Sequence, residues 1–507
     1  MCRMLSWFKR HIILWIFAVV AYTLLLVHGD YLFAIQEESL FMTGQTFMHE
    51  IVNERGGWLG WAGCALTQFF YYPWLGSAIL TGMWIAVYFC IVEATGWDGW
   101  KRTLAVVPQC IMLYLLLCLG YWIYYIKASG FAFVPTLILL LAAMGSLLCT
   151  KALGWFRRRE NHWVAYVFFA VFVIAANPSP RFYSVTLPDS RLYSEIRMYR
   201  AIDECRWQDV IEEHGKVKEP TNLMVMYKNI ALMHSGRLQE MFKTNNSGSM
   251  PESVTSLLPH DTLRLSVSRL GAPMIYYQYG QLNFAYRWAL GNAIKYGQSV
   301  STLKMLTRCA ILNQEFDLAE RYIMQLKTTL FHKDWAVARE ALMSSITRLT
   351  QTEEFKNIAP MMVDEGNVLD VDNGMCELWL LSHFADLVHP ANPKLEEVII
   401  TTSLWMKDAY AFDIHFYNYV NAHPNDAVPS LYQEAAILLC TREDSPVTLD
   451  NFPFDQIIAD RYNRFVNDYN QLSAMQLNDE EMGRRLRPVY GDTYWWYYYF
   501  YTNFKLY

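Results

Sequence analysis

The stretch HIILWIFAVVAYTLLLVHG, residues 11–29, contains no Lys, Arg, Asp or Glu. An α-helix of about 20 apolar residues crosses the hydrocarbon core of a bilayer, which is roughly 30 Å thick. The run lacks a small-residue cleavage site, and further apolar runs follow it, so it is better explained as a retained anchor than as a signal peptide. The sequence therefore predicts a helical membrane protein.

Further apolar runs extend this pattern along the first third of the chain. They are residues 75–92, 103–126, 131–150 and the shorter 163–178. Together with 11–29 they predict a membrane domain over residues 1–178 with about five spans and an acidic first outer loop, 30–74. Residues 1–178 carry 11 Lys or Arg and 8 Asp or Glu, whereas the remainder carries 31 and 40. A weakly basic, apolar front followed by an acidic, polar remainder is typical of a membrane domain joined to a water-soluble one.

The positions of the positive charges predict an orientation. Basic residues precede the first run, separate the second from the third, and separate the fourth from the fifth: Lys9, Arg10, Lys101, Arg102, Lys151 and the arginines at 157–159. With five spans these positions share one side, and the positive-inside rule makes that side the cytoplasm. We therefore expect a bacterial inner-membrane protein with a cytoplasmic N-terminus and a periplasmic domain over residues 179–507. If the short fifth run did not span, this domain would be cytoplasmic.

The predicted outer domain consists of amphipathic helical segments without period-two strands, so the predicted fold class is all-α. Residues 282–287 (LNFAYR) match residues 316–321 (FDLAER) at an offset of 34, which is the period of tetratricopeptide repeats. Weaker copies lie at 227–242 and 352–362. The domain thus resembles a degenerate tetratricopeptide array, although any antiparallel helix hairpins would place Ala and Leu similarly. Both interpretations imply hairpins that bury their apolar faces against each other.

The chain ends in YGDTYWWYYYFYTNFKLY, residues 490–507, which places aromatic side chains on every face of a helix predicted over 492–504. Such a helix is buried or lies at a membrane interface, and stacking on sugar rings is the functional alternative. Three arginines precede it: Arg484, Arg485 and Arg487. They form a candidate site for an anion or a lipid headgroup, or they are a solvated helix end.

The loop after the first apolar run, GDYLFAIQEESLF (29–41), carries the candidate catalytic residues. These are the carboxylates of Asp30, Glu37 and Glu38. On a single helix over residues 30–43, the first two would share a face and the third would join Gln45 and His49 on the neighbouring face. Such a group could supply a general base or bind a divalent cation. The alternative is that these are solvated side chains on a translocated loop.

Two resemblances bear on that loop. A span from the cytoplasm, the acidic loop and the stretch GGWLGWAGCALTQFFYYPWLG (56–76) resemble the start of membrane glycosyltransferases that use polyprenyl-phosphate sugars. That resemblance implies a lipid-linked sugar as substrate and a base at Asp30, Glu37 or Glu38. The transferase core generally has at least seven spans, whereas about five are predicted here. A closer resemblance, in QEESLF (36–41), the aromatic stretch at 56–76, the helical domain and the aromatic tail, is to uncharacterised multi-pass proteins of Bacteroidetes, and it implies an inner-membrane location without an activity.

Other chemical motifs are missing from the sequence. HEIVN (49–53) lacks the second histidine of an HExxH zinc helix, and the chain has no Walker loop, GxSxG elbow, CxxC pair or basic nucleic-acid face. We therefore predict no metal site, no cofactor and no nucleic-acid partner. The predicted function is that of a membrane-anchored helical-repeat scaffold that contacts the lipid bilayer and binds a protein or peptide. The alternative is a transferase acting on a lipid-linked sugar.

Overall fold

The structure, a computed structural model, describes residues 7–53, 57–118, 132–156, 190–217, 220–242, 271–362, 392–442, 445, 447–449 and 452–500. Within these ranges every helix or strand element is a helix, which confirms the all-α prediction. An isolated antiparallel bridge joins Met42 and Thr329. The chain divides into two compact units: Met1–Ile196 with Ala289–Ser345, and Arg197–Trp288 with Ile346–Tyr507. Helices from the middle of the sequence thus pack with the N-terminal segment, so the division by contacts differs from the predicted boundary at residue 178.

Unit 1 begins with apolar helices. They are α1 (Ile12–Val27), α2 (Gly29–Glu37), α3 (Gln45–Asn53), α4 (Gly57–Thr67), a 3₁₀ turn (Gln68–Tyr71), α5 (Pro73–Thr95), α6 (Lys101–Leu104), α7 (Val107–Cys118) and α8 (Val134–Phe156). Two of the described helices, α5 and α8, are long and apolar enough to cross a membrane. The pair α1 and α2, which meet at a bend of 68°, makes a third if it is a single span.

The other predicted spans differ from this picture. The run predicted over 103–126 contains the end of the short α6 and the 12-residue α7, which are separated by a turn at Ala105 and Val106. The rest of that run lies outside the described residues, and so does the predicted span 163–178. The described part therefore supports two or three helices that could cross a membrane, and the count of five stays a prediction.

The helices α5 and α8 pack closely through specific side chains. Pro73 occupies the first turn of α5, where its missing N–H costs nothing, and Gly96 ends the helix in a left-handed conformation with φ of 64°. The indole of Trp84 on α5 donates a hydrogen bond to Thr136 Oγ1 on α8 at 3.1 Å. Such polar contacts between helices contribute to association where lipid replaces water.

Unit 1 is completed by helices from the middle of the sequence. They are the second half of α13 (Leu282–Tyr296), α14 (Val300–Leu312), α15 (Phe316–Lys327) and α16 (Lys333–Met343). Ser299 and Thr302 form a capping box at the start of α14. Both segments of the 34-residue self-match begin a helix, α13 and α15. Successive helices thus form hairpins, while their assignment as tetratricopeptide repeats stays a prediction.

Unit 2 contains the remaining helices. They are the second half of α9 (Ser190–Asp203), α10 (Trp207–Lys216), α11 (Asn222–His234), α12 (Ala272–Gln278), the first half of α13, α17 (Ile346–Gln351), α18 (Glu353–Ile358), α19 (Pro393–Met406), α20 (Ala409–Ala422), α21 (Ser430–Leu439), α22 (Gln456–Ala474), α23 (Asp479–Tyr490) and α24 (Tyr494–Phe500), with 3₁₀ turns at Leu238–Phe242 and Ala359–Met361. The aromatic tail is a core element, since Tyr494 and Trp495 are fully buried. Trp495 Nε1 donates to the carbonyl of Glu434 at 2.7 Å. The helix predicted over 492–504 begins at Tyr494, and residues 501–504 lie outside the described part.

Candidate functional site

The predicted base Glu37 is buried against a lysine from a distant part of the sequence. Glu37 is the last residue of α2, and its carboxylate accepts a hydrogen bond from the Nζ of Lys304 on α14. Both side chains are only 8% exposed. A buried charge is costly unless an opposite charge compensates it. Each of these residues therefore provides the other with the counter-charge that its burial requires.

Glu38 is held in a similar way by the same helix. Its carboxylate accepts a hydrogen bond from the hydroxyl of Ser301, one turn before Lys304. The helix predicted over 30–43 ends at Glu37, because the Ser39 amide bonds to the Gln36 carbonyl at 3.0 Å and closes the last turn. The next residues leave the helical path, so Glu38 faces α14 and is nearly fully buried.

The predicted alignment of Glu38 with Gln45 and His49 is therefore wrong. Gln45 begins a separate helix, α3, and the side chain of His49 on that helix is exposed. Asp30 lies in the first turn of α2 and is half-buried. Seven residues of helix place it about 10 Å along the axis from Glu37. The structure thus brings Glu37 and Glu38 together and leaves Asp30 and His49 apart from them.

A network of amides around Gln36, the neighbour of Glu37 on α2, continues this contact. The side-chain nitrogen of Gln36 donates to Nε2 of His332 at 2.8 Å and to Oε1 of Gln68 at 3.0 Å. An amide nitrogen can only donate, so Nε2 of His332 is the acceptor in this contact. Gln68 in turn donates to the Ser39 hydroxyl at 3.3 Å. Gln36, Gln68 and His332 are all fully buried.

We call this contact the acidic joint. It consists of Gln36, Glu37, Glu38, Ser39, Gln68, Ser301, Lys304 and His332. All of these residues belong to unit 1. The joint connects the end of α2 and the turn after α4 to α14 and to the residue before α16. It therefore attaches the helix hairpins at 289–345 to the apolar N-terminal helices.

Three cations surround one tryptophan beside the joint. The ring of Trp335 on α16 lies 5.7 Å from Lys304 Nζ, 5.7 Å from the guanidinium of Arg308 and 4.7 Å from that of Arg339. A cation over an indole face is stabilised by the ring quadrupole, more so when it is desolvated. The hairpins thus concentrate positive charge around Trp335, and one of these cations, Lys304, is the partner of Glu37.

The geometry determines what this site can do chemically. A general base must come within hydrogen-bond reach of the group that it deprotonates, and a substrate site is normally a concave cavity. Glu37 and Glu38 are instead buried and engaged by protein side chains. Their arrangement favours a structural role, in which they join two parts of one unit.

The predicted anion site lies in unit 2, at the end of α23. A cavity of about 560 Å³ is lined by Arg461, Arg484, Arg487, Pro488, Val489, Gly491 and Asp492. Two of the three predicted arginines therefore line it. Arg485 does not line it, and it forms an ion pair with Glu481 at 3.0 Å. Arg461, which comes from α22, was not predicted.

The partners of the acidic joint were missed by reasoning from the sequence, although a signal for one of them is present. The stretch VSTLKMLTRCAIL (300–312) carries Lys304 and Arg308 four residues apart on an otherwise mostly apolar helix. Cations on a buried helix require nearby acids. Pairing them with QEES (36–39) would have suggested the contact. Ser301 and His332 have no comparable signal.

Comparison with known proteins places the chain in a family but assigns no activity. No curated protein and no solved structure matches it. A model of a family of unknown function, DUF6057, matches residues 3–178 and 96–501. These segments cover nearly the whole sequence, including both carboxylates of the acidic joint, Lys304 and the arginine cavity. The chain belongs to the DUF6057 family, a family of unknown function.

Proposed function

We propose that this protein is a membrane-anchored scaffold that binds a protein or peptide through its helical outer domain. In this proposal the apolar helices of residues 1–178 cross a bacterial inner membrane about five times. The N-terminus lies in the cytoplasm, the remainder lies in the periplasm, and the hairpins are degenerate tetratricopeptide repeats. Helical arrays of that kind present extended surfaces to a partner.

The acidic joint supports the anchoring part of the proposal. Glu37 and Lys304 tie α14 to the helix that directly follows the first apolar run. The Thr43 amide adds a backbone hydrogen bond to the Thr328 carbonyl at 3.0 Å, and the Tyr71 ring stacks on Phe331 at 5.3 Å. Charged, backbone and aromatic contacts thus hold the hairpins of unit 1 against the apolar segment, as an anchored scaffold requires.

A stripe of exposed aromatic and aliphatic side chains on α20 carries the binding part of the proposal. Tyr410, Ile414 and Tyr417 are 64%, 44% and 58% exposed. The spacing of four and three residues places them on one face of the helix. The opposite face, with Phe412 and Phe416, is buried in unit 2. Tyrosine is enriched where proteins bind each other, and helices often supply anchors at i, i+4 and i+7.

The transferase alternative receives less support. It requires a carboxylate of the first loop to meet a sugar acceptor, whereas Glu37 and Glu38 are buried in the acidic joint. Asp30 is half-buried at the other end of α2. Because their present partners compensate the two glutamates, using either as a base would first require the joint to open.

Site-specific photocrosslinking in cells tests the scaffold proposal. A photoreactive phenylalanine analogue at Tyr410 or Tyr417 should give an adduct with the same protein or peptide. The control is the same analogue at Ile457, which is also exposed and apolar but lies on α22. Ile414→Asp should abolish the adducts without changing the abundance of the protein. Adducts that are absent at all positions, or equally strong at Ile457, would contradict binding through this stripe.

A further inference from the structure

The arginine cavity of unit 2 carries more positive than negative charge. Its lining includes three guanidinium groups and one carboxylate, that of Asp492. Arg461 on α22 donates to Asp492 Oδ1 at 2.6 Å and to the Val489 carbonyl at 2.7 Å. These contacts fix Arg461 in place, and among the described lining residues they use the one carboxylate, that of Asp492, to balance it. The charges of Arg484 and Arg487 are therefore left to be balanced by other groups.

Arg487 is oriented by an aromatic ring. Its guanidinium carbon lies 5.6 Å from the ring centre of Trp496 on α24. Trp496 is itself held by a hydrogen bond from its indole nitrogen to the Gly483 carbonyl at 2.9 Å. Within the part of the chain that the structure describes, Arg487 forms no ion pair with a carboxylate. A guanidinium stacked in this way keeps N–H donors for a planar, bidentate contact with an oxyanion.

Arg484 is available for the same ligand. It pairs with Glu481 at 2.8 Å, three residues earlier on α23, while its side chain is 67% exposed. Exposed pairs of this kind contribute little to stability, and Glu481 also has Arg485 as a partner. Arg484 can therefore turn toward a bound anion at small cost.

A close backbone approach shapes the floor of the cavity. A Cβ atom at Gly491 would lie 2.6 Å from the carbonyl oxygen of Arg487 and 2.9 Å from its Cγ. Any other residue at this position would thus push the Arg487 side chain or the turn before α24 aside. Glycine at 491 allows the turn to run directly beside the arginine.

We propose that this cavity binds a phosphate monoester. Arginine forks match the geometry of phosphate oxygens, and a ligand with two negative charges balances Arg484 and Arg487 better than a single carboxylate does. The cavity of about 560 Å³ lies in the range of small-molecule sites and exceeds what one phosphate group needs. Pro488 and Val489 supply apolar surface for the organic part of the ligand. This site is independent of the scaffold proposal.

Two probes distinguish a soluble ligand from a lipid headgroup. The full-length protein in phosphatidylcholine nanodiscs is titrated with glycerol 3-phosphate by calorimetry. In parallel, nanodiscs that also contain phosphatidic acid are analysed for lipid retained by the protein. Binding of glycerol 3-phosphate without selective retention of phosphatidic acid indicates a soluble ligand, whereas selective retention of phosphatidic acid indicates a headgroup. In the responding assay, Arg484→Gln and Arg487→Gln should each weaken binding about tenfold or more, because each removes charged hydrogen bonds.

Arg485→Gln is the matched control. It removes the same charge from the same helical turn, but its side chain does not line the cavity, so it should change affinity by less than about twofold. Gly491→Ala keeps every arginine and should still weaken binding by displacing Arg487. Far-UV circular dichroism checks that each variant is folded. Lack of binding to both probes would overturn the proposal, and so would an Arg485→Gln variant that binds as weakly as Arg487→Gln.

Discussion

Glu37 and Lys304 form a buried ion pair although 267 residues separate them in the sequence. Each side chain is 8% exposed. The pair lies within unit 1, where it joins the helix after the first apolar run to the hairpins at 289–345. The acidic motif of the first loop therefore has a structural explanation, as the attachment point of these hairpins.

The proposed orientation can be tested by labelling single cysteines in intact cells. Asn425→Cys lies in an exposed turn of the proposed periplasmic part, and Asp98→Cys lies in an exposed turn on the proposed cytoplasmic side. We expect a membrane-impermeant maleimide to label Asn425→Cys in intact cells and Asp98→Cys only after lysis. The parent chain, which carries the natural cysteines, measures background labelling. The reverse pattern would place the C-terminal part in the cytoplasm.

One glycine of α5, Gly76, is packed so closely that an added side chain should destabilise the protein. A Cβ atom at Gly76 would lie 2.3 Å from Phe70 Cδ1 and 2.9 Å from the Phe70 amide nitrogen. Gly76→Ala should therefore lower the free energy of unfolding by about 1–3 kcal/mol through overpacking. Gly82 lies on the same helix with no atom within 4 Å of an added Cβ, so Gly82→Ala should be neutral or slightly stabilising. Thermal unfolding in detergent compares the two. Equal stability of both variants would contradict the close packing around Gly76.

Protonation of His415 should destabilise the protein in acid. Burial lowers the pKa of His415 from 6.5 to about 4. Below about pH 6.5 the unfolded chain binds a proton that the folded chain refuses, so stability falls as pH decreases toward 4. In that window His415→Gln should reduce the pH dependence of the unfolding free energy by up to about 1.4 kcal/mol per pH unit. Urea unfolding at several pH values measures this pH dependence. If His415→Gln left the pH dependence of the unfolding free energy unchanged, the lowered pKa of His415 would be contradicted.

The pKa of His423 is shifted in the opposite direction to that of His415. Hydrogen bonds to Asp426 and to Glu396 raise its pKa above 6.5. The folded protein therefore holds a proton that the unfolded chain releases, and this contribution to stability is present below pH 6.5 and lost as pH rises through the folded pKa. His423→Gln should consequently alter the pH dependence of the unfolding free energy just above pH 6.5. It should leave the pH dependence between about 4 and 6.5 unchanged.

The fold class could be predicted from the sequence because it depends on local patterns. The apolar runs around α1, α5 and α8 and the helical periodicity after residue 190 are properties of neighbouring residues. The division into units could not be predicted in the same way. It depends on contacts between the N-terminal segment and residues 289–345, and no local pattern encodes which distant helix packs on which.

The candidate site shows the same limit at the level of side chains. Charge and position drew attention to Glu37, Glu38, Arg484 and Arg487. Whether each one is solvated, paired or turned toward a cavity depends on partners such as Lys304 and Arg461, which lie far away in the sequence. The helix end at Glu37 was missed for a related reason, since the residues that follow it pair with Thr328 and Thr329 and not with the helix.

A double-mutant cycle at Glu37 and Lys304 tests the structural role of the acidic joint most directly. Glu37→Met and Lys304→Met should each lower the free energy of unfolding by about 3–5 kcal/mol, because each leaves a buried charge without its main counter-charge. The double variant should be much less destabilised than the sum, and it should keep the crosslink at Tyr417. The exposed pair Glu93 and Lys151, at 2.8 Å and 61% exposure of each side chain, is the control and should show coupling of about 1 kcal/mol or less. Coupling between Glu37 and Lys304 that is no larger than in this control would contradict a structural role for the pair. Loss of the Tyr417 crosslink in a well-folded double variant would contradict it as well.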